Sequence, residues 1–347
     1  MTQATVSHSG RLRPTFSIFL LALLWVLLAR NSTLAAELHR FDFAEPHMGT
    51  VWSFTCYGTD IEAAKAAARL AFDQVDRLER AMTDYNPESE LIQLGKATAG
   101  IPHPVSKDLL HILQASGRIH RQSHGAFDVT AGPLIQVWRR ARRQKELPSS
   151  ERVAEAIALV GWPKVRLDRR RSTVTLSTPA MRLDLGGIAK GYAADAALRI
   201  LRDRGFPSSL VAASGDLAIG DAPPGKAGWP IRIGDPVGRT NVLGLTLFLK
   251  NAGVSTSGDA EQFVEIQGVR YSHIVDPSTG SGLTNRLQAT VIAECATRSD
   301  ALATAVCILG VEKGTRMVDA DRRLSALMVF PSGEGIRSVQ TRRFPRP

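Results

Sequence analysis

Apolar residues recur every three or four positions in several stretches of this chain, and that spacing predicts amphipathic helices. The longest runs from Ile61 to Met82 and ends before the loop that contains Pro87, because proline disfavours helix in the residue before it. Ser89 begins a short helix and Ser106 caps a longer one. Further helices are predicted at Glu151 to Val160, from Ile188 to Leu201 and, capped by Ser299, at Asp300 to Leu309.

The stretch from Leu183 to Asp195 joins two patterns. An apolar run that includes Met181 leads into it, and helical spacing follows Gly186-Gly187, so a strand is predicted to turn through two glycines into a helix. Glycines at such a junction let a ligand approach the backbone, and the free N–H groups of a helix start attract anions. A tight turn without a ligand is an equal alternative. The spacing fits neither the dinucleotide fingerprint nor the P-loop.

Extended segments with alternating apolar and polar positions are predicted on both sides of this stretch. They lie at Thr50 to Cys56, Lys164 to Asp168, Thr173 to Ser177, Leu210 to Ala213, Pro230 to Gly234, Leu243 to Leu249, Phe263 to Glu265, Tyr271 to Val275, Ala289 to Ala293 and in a last hairpin from Leu324 to Gln340. Gly253 to Asp259 is interpreted as a polar loop. Strands and helices mix without regular alternation, which predicts an α+β fold with mixed, largely antiparallel sheets and packed helices.

The N-terminal segment differs in kind from the rest. Arg11 and Arg13 precede the apolar run Phe16 to Ala29, and Thr33-Leu34-Ala35 offers the small residues that a signal peptidase reads. Residues 1–35 are therefore predicted to be a secretory signal, followed by one domain at residues 40–347. The apolar run of about 14 residues is short of the roughly 20 that span a bilayer, and an uncleaved membrane anchor is the alternative.

Composition and net charge exclude fewer functions than the pattern of apolar and polar residues does. The chain has 347 residues, is 44% hydrophobic and carries a formal net charge of +10, part of it in the clusters Arg139 to Lys145 and Arg166 to Arg171. No aromatic residues are interleaved with these arginines, so we expect no nucleic-acid partner and interpret the clusters as solvated faces. Weak attraction to an anionic membrane surface is a secondary interpretation.

Two features suggest metal and proton chemistry. Asp300 and Thr304 lie four residues apart, so a helix would present a carboxylate and a hydroxyl on one face, and hard oxygen ligands suit Mg2+. An acid that caps the helix beside an ordinary threonine is the alternative, and the spacing alone favours it. His273 lies next to Asp276-Pro277, where an imidazole could take a proton from a hydroxyl; a structural histidine is the alternative.

Two loop residues are candidates for ligand contact. Tyr85 lies on the loop after the first helix, where an aromatic ring can stack on a ligand or simply cover the edge of the core. Asp128, held on a loop by Gly125 and Phe127, could contact a ligand or act as the N-cap of the segment that follows.

Seven short motifs together carry a resemblance to a known family. They are His47-Met48-Gly49-Thr50, Tyr85 to Leu91, Gly125 to Thr130, Leu183 to Asp195, Ser214-Gly215-Asp216, Ser272 to Gly280 and Ser299 to Ala305. Each is weak alone, but in this order they resemble the ApbE family of FAD:protein FMN transferases over about residues 45 to 310. The resemblance implies an α+β fold of ApbE-like, T-fold-related architecture. The family often has Gly-Gly-Asp where this chain has Ser214-Gly215-Asp216.

The resemblance also implies a set of site residues. The residues implied to contact FAD are Met48, Tyr85, Ala126, Phe127, Asp128, Asp184, Lys190 and Ile274. Mg2+ would be held by Gly187 through its carbonyl, by Asp300 and by Thr304, with Thr297 as an extra ligand. His273 would be the catalytic base.

The function implied is Mg-dependent transfer of the FMN moiety of FAD to a Thr or Ser hydroxyl, with release of AMP. FAD would be the substrate and Mg2+ the cofactor. The acceptor would be a flavoprotein subunit of a membrane redox complex. This chain would be exported to the periplasm and act there. Its N-terminal segment could also hold it at the inner membrane. Two alternatives stay open: a non-catalytic periplasmic FAD-binding protein and an Mg-dependent FAD pyrophosphatase.

Overall fold

The computed structural model describes residues 1–5, 37–233, 244–260, 262–333 and 335–346. By its contacts the chain divides into two units, Met1–Leu38 and His39–Pro347. Most of the predicted signal lies outside the described residues, so the signal and the predicted domain at residues 40–347 stay predictions. Among the residues that are described, no helix is both long and apolar enough to cross a membrane.

An antiparallel sheet of eight strands forms the centre of the second unit. The strands, in chain order, are β1 His39–His47, β2 Thr50–Gly58, β3 His103–Pro104, β4 Val165–Asp168, β5 Thr173–Leu176, β6 Ser209–Ala213, β7 Asp216–Ile219, β8 Trp229–Arg232, β9 Thr246–Leu249, β10 Ala252–Ser257, β11 Phe263–Ile266, β12 Val269–Ser272, β13 Gln288–Ala293, β14 Ser325–Ser332 and β15 Gly335–Gln340. The large sheet has the order β1-β2-β6-β7-β10-β13-β14-β15, and β3-β5-β4, β8-β9 and β11-β12 form small sheets.

Seven α-helices accompany these strands in the described residues. They are α1 Ile61–Met82, α2 Glu90–Lys96, α3 Lys107–Gln122, α4 Gly132–Gln144, α5 Ser150–Leu159, α6 Ala189–Asp203 and α7 Ala296–Ala320, with short 3-10 helices at Val129–Ala131 and Trp162–Lys164. The strand pairings are antiparallel throughout the described chain. The predicted α+β class is therefore confirmed, and so is the long first helix with its predicted ends.

The large sheet is buried on both faces because its strands alternate two sets of apolar residues. On one face Trp52 and Phe54 of β2 pack with residues of α1, α6 and α7 in the main core. On the other face Val254 of β10 and Ile292 of β13 pack with the β8–β9 hairpin, which contributes Ile231. The predicted site motifs come from the ends of these strands and from the helices on the first face.

Two predictions about local structure are wrong. Residues 181–185 are not a strand: their apolar side chains are buried, but the Asp184 N–H donates to the Val129 carbonyl, outside any ladder. Gly253 to Asp259 is not a loop, because most of it forms the central strand β10. Polar side chains of β10 can hydrogen-bond to the helix packed on it: the Ser255 hydroxyl lies 2.8 Å from the Ser299 hydroxyl of α7. Strands β1, β3 and β7 and the helix α4 were not predicted.

The start of α7 also differs from the prediction. The helix begins at Ala296, four residues before the predicted Asp300, and Ser299 is a buried residue of its first turn. The cap comes from α6: the Asp195 carboxylate accepts the N–H groups of Ala296 and Thr297, each at 2.8 Å. A capping group that is a hundred residues away leaves no signal in the local sequence.

We expect Asp195→Ala to lower the free energy of unfolding by about 2 kcal/mol, because two N–H groups at a largely buried helix start would lose their acceptor. Urea denaturation measures this loss. Glu312→Gln is the matched control, since Glu312 forms only an exposed i,i+4 pair with Arg316 and should change stability by less than about 0.5 kcal/mol. A loss for Asp195→Ala as small as the control's would contradict a capping role.

Candidate active site

Arg139 on α4 connects two of the predicted flavin contacts. Its guanidinium pairs with Asp84 and, at 3.0 Å, with Asp184, and it lies over the Tyr85 ring at 4.8 Å from the centroid. The other Asp184 oxygen accepts the Gly186 N–H at 2.8 Å. Tyr85 itself is 78% exposed, so most of its ring is accessible to a ligand. The loop after α1 and the turn before α6 thus meet at one arginine.

The interpretation of the Arg139 to Lys145 cluster as a solvated face is therefore wrong in part. The Arg139 side chain is only 22% exposed, and Arg142, one helical turn later, is partly buried as well. Arg140 and Arg143 are exposed, as predicted. Buried carboxylates at Asp84 and Asp184 explain why Arg139 turns inward, and neither could be assigned to it from spacing along the chain.

Gly187 of the turn and Gly191 of α6 allow close approach of α7. A Cβ on Gly187 would lie 3.2 Å from the Thr304 hydroxyl and 3.3 Å from the Phe127 ring. A Cβ on Gly191 would lie 2.2 Å from the Ala296 carbonyl oxygen, so a side chain there would push α6 and α7 apart. With glycine present, the Gly191 N–H donates to Asp300 at 2.9 Å. The predicted metal ligands Gly187, Asp300 and Thr304 therefore lie around one helix start.

The charges around Asp300 fit a cation. Burial, followed by the nearby Asp216 carboxylate, raises the pKa of Asp300 to about 7, although Lys190 opposes that rise. Lys190 is itself ion-paired with Asp216. The site thus holds more buried carboxylates than cations, since Asp195 also adds to the rise at Asp300. A divalent ion would relieve this repulsion, so the residues present fit Mg2+.

A different group of side chains, on β1 and α1, brings three potential metal ligands close together. Potential ligand atoms of His47, Asp76 and Glu79 lie within 4.8 Å of one another. Each already has a partner: His47 contacts Glu45 at 3.4 Å, Asp76 pairs with Arg80, and Glu79 accepts the Met48 N–H at 2.8 Å. This group is not the predicted site, and its side chains are already engaged within the protein.

His273 lies near the same charges. Its Nδ1 is 3.1 Å from the Gln262 carbonyl oxygen. A carbonyl can only accept, so Nδ1 carries a proton in this arrangement and Nε2 has a free lone pair in the neutral ring. Burial lowers the pKa of His273 below its ordinary value, and the positive charges of Arg142 and Lys190 lower it further. A histidine kept neutral is suited to act as a base near pH 7.

The Asp128 carboxylate is fully engaged inside the protein. It accepts the Thr130 N–H at 2.8 Å and the Trp162 N–H at 3.1 Å, and it lies 3.3 Å from His120 Nδ1. The N-cap alternative for this residue is therefore what the structure contains, since Asp128 caps the 3-10 helix Val129–Ala131. Contact between Asp128 and FAD stays a prediction.

The remaining predicted site residues differ in what they offer. The side chains of Ala126, Phe127 and Ile274 are buried, so a ligand would meet them mainly at the backbone or at a ring edge. Met48 lies in the β1–β2 turn with φ 48°. The Thr297 hydroxyl donates to Asp195, which also accepts the Thr297 N–H at 2.8 Å, so this side chain is committed to the helix cap. These roles toward FAD and metal stay predictions.

Three residues near the site were missed from the sequence. Asp216 was within a quoted motif, but nothing in its spacing indicated that it pairs with Lys190. Arg139 and Arg142 belong to the cluster Arg139 to Lys145, which was interpreted as a solvated face. Their three-residue separation on a helix was the available signal, because it places both on one face.

A cavity of about 620 Å3 lies elsewhere, between α4 and α5. Its charged lining includes Arg140, Arg152 and Arg182, and it contains none of the predicted site residues. The Arg140 side of α4 therefore faces this cavity, whereas Arg139 and Arg142 face the site. The chemistry described above does not extend to the cavity.

Comparison with known proteins shows the family of this chain. The model of the ApbE family matches residues 48–328, a range that contains every predicted site residue from Met48 to Thr304. The chain belongs to the ApbE family. Its ApbE relatives include an FAD:protein FMN transferase of Klebsiella pneumoniae, which is 31% identical over 303 residues and covers 86% of each chain.

Solved ApbE structures share the fold. The flavin transferase ApbE from Vibrio cholerae has a TM-score of 0.77 and 25% identity, covering 88% of this chain and 98% of its own. The ApbE protein of Thermotoga maritima has a TM-score of 0.78 and 28% identity, covering 88% of this chain and 97% of its own. The predicted ApbE-like architecture is confirmed.

Proposed function

We propose that this ApbE-family chain is an FAD:protein FMN transferase. It moves the FMN moiety of FAD to a Thr or Ser hydroxyl of an exported or membrane redox protein and releases AMP. One observation carries the proposal: motifs from distant parts of the chain converge on the start of α6, where Thr304 lies beside the space that a Cβ on Gly187 would occupy and the Gly191 N–H donates to Asp300. The relatives named FAD:protein FMN transferase support the same activity.

The chain's own residues divide the work. Tyr85 and Asp184 form the wall for the flavin half. Lys190, held by Asp216, supplies a positive charge for the pyrophosphate. Mg2+, when bound by Gly187, Asp300 and Thr304, would supply further charge neutralisation at the phosphates. Pyrophosphate cleavage needs mainly such positioning and neutralisation.

His273 is the proposed base for the acceptor. The acceptor oxygen forms a bond to the phosphorus of the FMN half, and the bond from that phosphorus to the bridging oxygen breaks. The acceptor proton goes to Nε2 of His273, and AMP leaves with the bridging oxygen. The Gln262 carbonyl holds the ring in the tautomer that this step requires.

The test is to incubate the chain with FAD, Mg2+ and a candidate flavoprotein acceptor and then to weigh the acceptor. We expect the mass to increase by one FMN phosphoester, and we expect no increase when FMN replaces FAD, because FMN lacks the pyrophosphate bond. If AMP and FMN are released while every acceptor stays unmodified, the chain is an FAD pyrophosphatase. If FAD binds and nothing is released, it is a non-catalytic FAD-binding protein.

We also propose that the chain works in the periplasm, with a flavoprotein subunit of a membrane redox complex as acceptor. The basic residues, apolar run and small residues of the first 35 positions support export. Cell fractionation with mass measurement of the chain tests this. A periplasmic product that begins near residue 36 is expected; a full-length product in the membrane would indicate an anchor, and a cytoplasmic one would contradict export.

A further inference from the structure

We propose that Arg139 is a positioning residue for the flavin: it fixes the Tyr85 ring and the Asp184 carboxylate in their binding arrangement before the ligand arrives. The inference rests on the proposed function for the identity of the ligand as FAD. It assigns a role in recognition to a residue that the family motifs do not include and that the sequence pattern placed on a solvated face.

The geometry gives Arg139 three partners at once. The guanidinium Nη1 donates to Asp84, Nη2 donates to Asp184 at 3.0 Å, and the guanidinium carbon lies over the Tyr85 ring, 4.8 Å from its centroid. Asp84 and Tyr85 are neighbours on the loop after α1, whereas Asp184 belongs to the turn before α6. Arg139 therefore joins two segments about a hundred residues apart in sequence.

An exposed aromatic ring needs such support. Tyr85 is 78% exposed, and its backbone N–H donates within the loop, to the Thr83 hydroxyl at 3.3 Å. A side chain that is free to rotate loses conformational entropy when a ligand stacks on it, and that loss weakens binding. Because the arginine already holds the ring, less of this entropy remains to be lost when FAD binds. The Asp84 pair fixes the loop backbone in the same way.

The chemistry requires arginine in particular. A guanidinium is a planar fork with five N–H donors and a face that stacks on aromatic rings, so it can satisfy two carboxylates and one ring together. An ammonium is a point charge that could stay near Asp184 but would not hold all three partners. Asp184 is buried, and an uncharged residue at position 139 would leave its carboxylate uncompensated. Lysine is therefore the substitution that separates positioning from charge.

The experiment titrates the chain with FAD, without acceptor, and follows quenching of flavin fluorescence. We expect Arg139→Lys to bind FAD about tenfold more weakly than the wild type while melting within a few degrees of it. Arg140→Lys is the matched control: the same substitution one position later, at an exposed side chain whose guanidinium bonds Gln144 at 2.9 Å. It should bind FAD within twofold of the wild type.

A double-mutant cycle shows whether Arg139 acts through the ring. In a Tyr85→Leu background, Arg139→Lys should weaken FAD binding much less than it does alone, because the ring that it positions is gone. Transfer to an acceptor gives a second readout: Arg139→Lys should raise the KM for FAD about tenfold and leave kcat at saturating FAD within about threefold.

Several results would overturn the inference. These are unchanged FAD affinity in Arg139→Lys, fully additive effects in the cycle, or a lower kcat with unchanged KM, which indicates a smaller active fraction and a merely structural role. A wild type that binds FAD but transfers nothing would contradict the proposed function alone. A wild type that binds no FAD would contradict both.

Discussion

Asp300→Asn is expected to abolish Mg-dependent transfer while leaving the metal-free chain at least as stable as the wild type near neutral pH. Asparagine keeps the shape of the side chain and an acceptor for the Gly191 N–H, which now lies 2.9 Å from Asp300. It removes the charge that would hold the cation. Loss of outer-shell partners of metal sites already costs 10- to 100-fold, so loss of a direct ligand should cost at least about 100-fold in turnover.

The expected stability follows from the direction of the pKa shift. Burial and the nearby Asp216 raise the pKa of Asp300 above its ordinary 3.8, to about 7. A carboxyl whose pKa is raised by folding favours the folded state while protonated, so the metal-free wild type should lose stability as pH rises from about 4 to about 7. The asparagine variant lacks this loss. Mg2+ should then stabilise the wild type and not the variant.

Thermal melts at several pH values, with and without Mg2+, measure this alongside transfer rates. Asp203→Asn is the matched control, since Asp203 is an exposed carboxylate on the same α6 helix as Gly191. It should leave turnover and the Mg2+ response unchanged. If Asp300→Asn instead turned over at the wild-type rate in low Mg2+, the metal assignment would be wrong.

His273→Asn should slow FMN transfer by about 100-fold or more and keep FAD affinity within a few fold, because general-base help usually has that weight. The side chain contacts the Gln262 carbonyl at 3.1 Å and lies in the field of Arg142 and Lys190. Those cations favour the neutral ring, which is the form that can accept a proton. Binding and rate should therefore separate in this variant.

The pH dependence of the transfer rate tests whether the neutral form of His273 is the active one. The working form of His273 is neutral, so the rate should rise with pH through the pKa of the folded protein, and that inflection should lie below the ordinary histidine value. In His273→Asn the inflection should be absent. His111→Asn, at an exposed position on α3, is the control and should keep both rate and profile. Proportional losses of FAD affinity and transfer in His273→Asn would make His273 a binding or structural residue.

Local patterns predicted those parts of the fold in which nearby residues decide the structure. The α1 helix was predicted with its observed ends because its apolar spacing and the loop that contains Pro87 are local signals. Ser106 caps α3 as predicted, and Ser89, predicted to begin the short helix, is the N-cap of α2; each hydroxyl accepts an N–H three residues later. The antiparallel hairpin β4–β5 followed from the same kind of local signal.

Long-range contacts decided the errors. The apolar run at residues 181–185 correctly predicted burial, but it could not indicate whether a neighbouring strand was present to pair with it. The polar sequence of β10 indicated a loop, yet the Ser255 and Ser299 hydroxyls satisfy each other at 2.8 Å in the interior. Asp195 moved the start of α7 by four residues, because a carboxylate from another helix accepts its first N–H groups.

By itself, the sequence determined the family, the α+β class and the residue types that can carry the chemistry, because an ordered set of short motifs can be recognised without knowing the distances between side chains. Only the tertiary structure decided which charges face one another. It placed Arg139 on Asp184 and Tyr85, and Lys190 on Asp216. The physical reason is that the energy of a charge depends on its neighbours and its burial, and residues that fold together from distant segments set both.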